Sequence, residues 1–430
     1  MEKIGIGVVG FGTIGTGVVK ALLERKHLLA SRSGFQPELL AVCDADLKRV
    51  RPVSVPKALL TDDFRKVIAN PAVKIVVELV GGIRPADSII LSSLRQGKSV
   101  VTANKALLAE KGDKLFSAAA QNKCHFGFEA SVGGAIPIIR ALRESFVANR
   151  ISGLYGILNG TTNFILTRMS EDRVSLPAAL KTAQELGFAE KKPSLDLSGS
   201  DSSHKLSVLA SLVTGSFFPS ARILTEGITG ITFDDLQYAA ELGYRVKLLS
   251  VLRREKDGVS LATYPALIPA RHLLSSVRDV YNAVYLTGDL MGESLLFGKG
   301  AGMDPTASSV VSDIMSIGRS ILHGVEPTPI LTDSGVSLKD SAEMECRYYF
   351  RFTLLDQPGV LAKIADVLGR HKISIASCIQ MKEERPKKAV PVVFLTHKAR
   401  EASVRKAIAA IDRLPIVKAK TVLLRQALNG

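Results

Sequence analysis

Asp201 and Lys205 stand four residues apart at the head of an otherwise apolar helical run, Leu206, Leu209, Ala210, Leu212 and Val213. That spacing puts both side chains on one helix face. One reading is an exposed i,i+4 ion pair worth about 0.3 to 0.5 kcal/mol. The other is a lysine tuned by its carboxylate neighbour, by burial and by a second cation, poised to exchange a proton with a reacting oxygen. Just upstream, Gly187-Phe188-Ala189-Glu190 closes a helix that Ser175 and Pro177 open. Gly187 suits the left-handed position after a helix end, so Glu190 falls just beyond it. Asp196 begins the run Asp196-Leu197-Ser198-Gly199-Ser200-Asp201, which adds a third carboxylate to this stretch, whereas His204 points to another face and reads as structural.

A second chemistry-bearing stretch opens the chain. The apolar run Ile4 to Val9 leads straight into Gly10-Phe11-Gly12-Thr13-Ile14-Gly15 and then a helical pattern, the strand–loop–helix context that a GxGxxG fingerprint requires. Gly10 permits the tight turn, Gly12 lets the backbone approach a pyrophosphate, and Gly15 allows close helix-to-strand packing. The helix start offers unpaired N–H groups to the anion. The second strand ends at Asp44, an acceptor for an adenosine ribose, yet Lys48, Arg49, Arg51 and Lys57 follow and suit a 2′-phosphate. Both NAD and NADP remain open. Glu78-Leu79-Val80-Gly81-Gly82 ends an apolar strand, and Lys105 follows Val100-Val101-Thr102 at the carboxyl edge of the sheet, where ligands of open α/β sheets bind. A solvated loop lysine is the plainer account of Lys105. Asn159-Gly160-Thr161-Thr162-Asn163 is a polar loop before a helix, and Gly298-Lys299-Gly300-Ala301-Gly302 suggests close backbone approach to a ligand.

These residues need elements to place them. Strands expected at Ile4–Val9, Leu39–Cys43, Ile75–Leu79, Ser99–Thr102 and His125–Glu129 alternate with helical patterns over residues 16–26 and 85–96, the signature of a parallel sheet. From about 136 to 342, helices (135–145, 177–186, 201–213) mix with strand-like runs at 155–158 and 283–287. A polar linker from Ser334 to Glu345 precedes a βαββαβ pattern: strand 348–355, helix 360–370, strands 373–381 and 390–396, helix 402–411, strand 417–424. The expected fold is thus α/β, in three domains: 1–135, a parallel dinucleotide-binding (Rossmann) sheet; 136–342, an α+β substrate, catalytic and dimerisation domain; and 343–430, a ferredoxin-like module.

Composition narrows the class. The 430 residues, 46% hydrophobic and 23% charged, contain no uninterrupted apolar stretch long enough to span a bilayer, so no membrane partner is expected. Met1-Glu2-Lys3 followed by a glycine-punctuated run lacks a secretory cleavage pattern, and a cytoplasmic location is expected. The net charge of +15 is concentrated at the C-terminus, where residues 343–430 hold 17 Lys and Arg against 8 Asp and Glu. Without tryptophan or basic runs interleaved with aromatics, a nucleic-acid partner is not expected. Cys43, Cys124, Cys346 and Cys378 have neither metal spacing nor a visible activating base, which fits reduced thiols and disfavours acylating aldehyde chemistry. A non-catalytic nucleotide- or amino-acid-sensing regulator is the alternative outside enzymes, and the joint presence of Lys205, Asp201, Glu190 and Lys105 argues against it.

With GFGTIG, ELVGG, VVTANKALL, EASVGGAIPII, NGTTNFIL, GFAE, DLSGSDSSHKL and GAGMDPTASSVVSDI in order over residues 4–320, the sequence resembles homoserine dehydrogenase, and the tail with Leu355-Asp356-Gln357-Pro358-Gly359 resembles an ACT domain. The resemblance implies NAD(P)H-dependent interconversion of L-aspartate 4-semialdehyde and L-homoserine in threonine and methionine biosynthesis. It implies Lys205 as proton donor, with Lys105 beside the nicotinamide, and Glu190, Asp201 and Asp196 on the substrate. Gly187 and Gly302 would line the cofactor cleft. It also implies a monovalent cation, Na+ or K+, held mainly by backbone carbonyls at Glu129, Val132, Gly134 and Ile136. Residues Asp356 and Gly359 would form the regulatory site, where L-threonine binds as an allosteric effector; a dimerisation module is the plainer reading of this domain. A homodimer or homotetramer is the expected assembly. Lys191 and Lys192 stand beyond Glu190 where family members commonly carry an acidic residue, and Lys299 stands where proline is usual.

Overall fold

The computed structural model describes residues 1–332, 335–380 and 389–428. The chain forms two compact units, each assembled from three chain segments: Met1–Leu158, Ser203–Arg222 and Tyr281–Val336 in the first; Asn159–Ser202, Ile223–Val280 and Ser337–Gly430 in the second.

The first unit is built on a six-stranded parallel sheet of β1 (Lys3–Val9), β2 (Gln36–Cys43), β3 (Leu60–Thr61), β4 (Val73–Glu78), β5 (Ser99–Thr102) and β6 (Phe126–Gly127), in the order β3-β2-β1-β4-β5-β6. This is the doubly wound order of the dinucleotide-binding fold expected from the sequence. β1, β4 and β5 are near-continuous runs of Val and Ile because helices cover both faces. One covering helix comes from far along the chain. Met303–Leu322 packs on Thr13–Glu24, where a Cβ on Gly17 would press Met303 and Ala307, and it delivers Val310, Ile314 and Ile317 into the core of Ile6, Val8, Val18 and Ile75. β7 (Ile151–Ile157) also belongs to this unit. The strand expected to run to Glu129 stops at Gly127, and Glu129–Ser131 closes into a 3-10 turn. The helix expected over 135–145 is broken into Ile138–Arg140 and a wider π turn over Ala141–Ser145, since Pro137 delays its start.

In the second unit β8 (Leu224–Thr225) pairs with β10 (Gly258–Pro269), and β9 (Tyr244–Glu255) forms a long antiparallel hairpin with β10. In the first unit, β11 (Tyr281–Gly288) pairs with β7 on one side and β12 (Gly292–Lys299) on the other. The C-terminal segment of the second unit is β13 (Glu345–Leu355), helix Val360–Arg370, β14 (Ile375–Gln380), β15 (Ala389–Thr396), the short β16 (Ala399–Arg400), helix Glu401–Ile411 and β17 (Val417–Gln426). Its main strands are ordered β17-β13-β15-β14. This is the βαββαβ order expected, and Met381, the expected end of its second strand, lies outside the described residues. The module is sewn to the hairpin: β17 pairs in parallel with β10 at Ala266↔Arg425 and Leu267↔Gln426. Ser334, the expected start of the linker, also lies outside the described residues, and the rest of that linker is not free. Val259 N–H donates to the Ser337 carbonyl at 2.9 Å and Lys339 N–H to the Val259 carbonyl at 2.9 Å.

Candidate active site

In the first unit, the glycine loop has the geometry its sequence dictates. Gly10 has φ +103°, and a Cβ there would meet the Leu79 backbone at 2.5 Å, while a Cβ on Gly15 would run into the Gly10 carbonyl. Above Gly12 the space is open, and helix Thr13–Glu24 has no side-chain cap, so its first N–H groups face that space unclaimed by a capping side chain. These features fit a dinucleotide pyrophosphate. Asp44 is more engaged than a simple ribose acceptor: Phe11 N–H donates to its Oδ2 at 2.6 Å, Asp46 N–H to its Oδ1 at 2.8 Å, and Arg51 lies 3.3 Å away. Arg51 also donates to the Phe11 carbonyl at 2.6 Å and stacks on the Phe11 ring, 4.5 Å from its centroid. Lys48, Arg49 and Lys57 are exposed.

The next two loops are tied by Glu78. Its fully buried carboxyl, pushed above the usual carboxylate range by burial, accepts from Val80 N–H at 2.8 Å and from Thr102 Oγ1 at 2.6 Å. Asn104 caps helix Lys105–Gln121 through Leu107 N–H and donates to the Gly82 carbonyl at 2.6 Å. Half-buried Lys105 is thereby the first residue of that helix, at the carboxyl edge of β5. Lys205 is buried, and its Nζ donates to the Leu158 carbonyl at 2.6 Å. Gly302 has φ +118° and begins helix Met303–Leu322.

The loop 129–136 is buried except at Ala135, with Gly133 and Gly134 at φ +74° and +54°. The Glu129 carboxylate accepts from Ile139 and Arg140 N–H, both at 2.8 Å, so its side chain is spent on the following helix. Gly134 O accepts from Ser309 Oγ at 2.6 Å and Ile136 O from Ile138 N–H at 2.8 Å. Next to this loop, Asn282 is fully buried with neither amide atom hydrogen-bonded, and a Cβ on Gly300 would strike it. Each carbonyl retains a second lone pair, so the loop is compatible with a hard monovalent ion. A cleft of about 550 Å³ adjoining the start of this loop is lined by His125, Glu129, Arg140, Arg143 and Asp313, whose carboxyl burial pushes up to about 7. None of the glycine loop, Lys105 or Lys205 lines it.

In the second unit, Asn159 joins two of the three expected carboxylates. Its Nδ2 donates to Asp196 Oδ1 at 2.6 Å and to Asp201 Oδ2 at 2.8 Å, while its Oδ1 caps helix Gly160–Glu171 through Thr162 N–H at 2.8 Å. Asp201 and Lys205 lie one turn apart on the continuous helix Ser200–Thr214. Gly187 has φ +75° just past helix Leu176–Glu185, and Glu190 beyond it is exposed, with the Asn159-linked pair drawing in Asp196 and Asp201 rather than Glu190. Two polar residues went unmarked by sequence reasoning. Asn159 was within a recognised loop, and its N-cap position was the available signal. Lys247 sits in an apolar strand, buried, and donates to Asn163 Oδ1 at 3.0 Å and to the Val277 carbonyl; burial, helped by Arg278, pulls it down to about 8. Burial, with Asp44 beside it, pushes the Cys43 thiol up to about 11, and burial likewise raises Cys124, Cys346 and the more exposed Cys378, so each is shifted away from the reactive thiolate.

A doubly wound parallel sheet with an open glycine loop at the start of its first helix defines the class of dinucleotide-binding proteins. Residues 10–129 match the model of the homoserine dehydrogenase NAD-binding domain, residues 137–315 that of homoserine dehydrogenase, and residues 348–415 that of the ACT domain. The chain is 39% identical to the homoserine dehydrogenase of Pseudomonas aeruginosa over 99% of both chains, and 34% identical to that of Bacillus subtilis over the whole of both. A solved homoserine dehydrogenase from Thiobacillus denitrificans superposes with a TM-score of 0.91 at 38% identity, covering 99% of each chain. A hyperthermophilic archaeal homoserine dehydrogenase in complex with NADPH covers 74% of this chain and 98% of its own, with a TM-score of 0.61 at 25% identity. The chain belongs to the homoserine dehydrogenase family and is an NAD(P)-dependent oxidoreductase of amino-acid biosynthesis.

Proposed function

We propose that Lys205 is the proton donor of this homoserine dehydrogenase, that Asp196, Asp201 and Glu190 hold the amino-acid end of L-aspartate 4-semialdehyde or L-homoserine, and that Lys105 stands by the nicotinamide. The observation that carries this reading is the bridge of Asn159 to Asp196 and Asp201, with Lys205 one turn beyond Asp201 on the same helix. Two carboxylates fixed by one amide present a preorganised acceptor for an ammonium group. The nicotinamide, when bound, supplies or takes the hydride. Gly10, Phe11, Gly12, Thr13, Ile14, Gly15 and Asp44 would hold its dinucleotide, with Gly187 and Gly302 at the cleft. As negative charge gathers on the substrate oxygen, the Lys205 ammonium delivers a proton from Nζ, and in the reverse direction neutral Nζ receives it. Lys205→Ala is expected to lower kcat by about a hundredfold or more with the fold retained. The assay follows reduced-nicotinamide absorbance with L-homoserine and each oxidised cofactor; wild-type kcat in the variant sinks the assignment. The same rates decide the cofactor. NADP is the favoured one, because Arg51 stacks over Phe11 beside Asp44 and offsets that carboxylate.

We propose the three-part division into residues 1–135, 136–342 and 343–430 as the functional one, a Na+ or K+ ion on the carbonyls of Glu129, Val132, Gly134 and Ile136, and L-threonine as an effector at Asp356 and Gly359. Gly359 has φ +82° and opens helix Val360–Arg370 without a side-chain cap, which supports an anionic ligand group there. A cytoplasmic homodimer or homotetramer completes the reading; among the described residues no helix is long and apolar enough to cross a membrane, and edge strand β12 exposes Phe297 at 54%.

A further inference from the structure

Within the second unit, the C-terminal segment grips Glu226, whose backbone neighbours adjoin the loop that carries Asp196. Arg425 of β17 is fully buried between two carboxylates: its Nε donates to Glu401 Oε2 at 2.9 Å and its Nη1 to Glu226 Oε2 at 2.7 Å. Arg405 reaches the other oxygen of Glu226, and Tyr348 OH donates to Glu401 Oε2 at 2.9 Å. Two guanidinium groups thus balance two carboxylates, and the Arg425 guanidinium lies 4.9 Å from the Tyr264 ring centroid of β10. Glu401, Arg405 and Arg425 belong to the C-terminal segment, but Glu226 follows β8 in the segment Ile223–Val280, and Asp196 lies in the segment Asn159–Ser202 of the same unit.

The backbone of Glu226 and its neighbours leads on to Asp196. Glu226 N–H donates to the Thr263 carbonyl at 2.8 Å, and Ile228 N–H donates to the Leu197 carbonyl at 2.9 Å. Between them, Gly227 lies so close to Leu197 that a Cβ would run into its carbonyl, and Gly199 packs on the Glu226 carbonyl. The short turn Ser194–Leu197 buries none of its residues completely, though half-buried Leu197 packs on the apolar core of this unit. The turn is placed by that packing together with the 226–228 strap, which holds the Leu197 carbonyl, and the Asn159–Asp196 bond.

We propose that Glu226 is a positioning residue: held by Arg425 and Arg405, it fixes the 226–228 strap against Leu197 and so sets Asp196 for the amino-acid substrate. The C-terminal segment thereby acts on substrate affinity through a defined route. This rests on the reading of Asp196 as a substrate-binding carboxylate.

The test compares full-length Glu226→Gln, Asp196→Asn, the double variant and Tyr348→Phe, which alters the same buried network without touching Glu226. Glu226→Gln is expected to raise the L-homoserine KM about fivefold or more, the low end of coupling between sites, with the cofactor KM and kcat little changed. Asp196→Asn raises the same KM, and the double variant is no worse than Asp196→Asn alone, because residues acting in series are not additive. Tyr348→Phe leaves that KM at the wild-type value. A wild-type KM in Glu226→Gln beside a raised one in Asp196→Asn overturns the positioning role alone, as does an additive double variant or an equal rise in Tyr348→Phe. A wild-type KM in Asp196→Asn overturns the underlying substrate reading and the inference with it. If Glu226→Gln does not fold, Arg405→Gln, at a side chain 44% exposed, replaces it. A smaller rise confined to the L-homoserine KM supports the role, and no rise overturns it.

Discussion

Asn159 uses its amide fully: one oxygen caps a helix and one nitrogen serves two carboxylates. The i,i+4 spacing of Asp201 and Lys205 was readable in the sequence because helix geometry alone places such residues on one face. The part played by Asn159 was not, since its partner Asp196 lies 37 residues away and nothing local encodes that meeting. The same limit hid Lys247, an ordinary-looking lysine in a strand whose burial only the tertiary fold reveals. Its folded pKa of about 8 lies below an unfolded value of about 10.4. Between those pH values the unfolded chain binds more protons, so stability rises with pH across the window and the full penalty applies below about pH 8. The expected size is about 3 kcal/mol at most. Lys247→Met removes the titration, so Tm measured from about pH 7 to 10.5 should climb in the wild type relative to the variant. Parallel curves would show that Lys247 does not titrate in this way.

Elements with strong local patterning came through the sequence well, and those fixed by distant partners did not. The strands and helices of the C-terminal segment lie within a few residues of their expected bounds, because alternation and helical spacing are sharp there. The hairpin of β9 and β10 was not expected, although Asp257-Gly258 marks its turn, because Arg245, Lys247 and Ser250 interrupt the apolar residues of β9 without a regular alternation. Helix Phe233–Glu241 carries a Thr232–Asp235 capping box that was equally legible. At 135–145 the expected helix overrode the turn chemistry of Gly133, Gly134 and Pro137, which bends the chain before the helix starts at Ile138. The cation proposal belongs to this loop. A site that binds an ion only in the folded state raises stability by about 2.7 kcal/mol at a hundredfold excess over Kd. Replacing Na+ and K+ by tetramethylammonium at constant ionic strength should therefore lower Tm, and an unchanged Tm would remove the ion from the proposal.

Across the whole chain, composition and motif order marked the C-terminal segment, while its attachment was not legible because the pairing of β10 with β17 joins residues 266 and 425. That attachment changes how regulation can be tested. Arg351 of β13 holds the fully buried Asp235 through Nε at 2.6 Å and Nη2 at 3.0 Å, and Tyr349 OH adds a third bond to the same carboxylate. Cutting the chain near Asp340 would strip these partners from Asp235 and Arg425 from Glu226. Leaving a buried charge without its partner costs about 3 to 5 kcal/mol, so loss of activity on truncation would report unfolding as readily as lost regulation. The informative experiment keeps the full chain and changes Asp356→Ala. Asp356 is exposed ahead of the uncapped helix at Val360, so its removal should leave Tm unchanged. Millimolar L-threonine is expected to inhibit the wild type, with a coupling of about 1 to 3 kcal/mol, about 5- to 150-fold, and to have little effect on the variant. Threonine must bind the less active arrangement more tightly to act at all, so inhibition should weaken as L-homoserine binding opposes it. A wild-type enzyme indifferent to threonine, or a variant inhibited equally, would leave the C-terminal segment as a structural partner of β10 without an effector at Asp356.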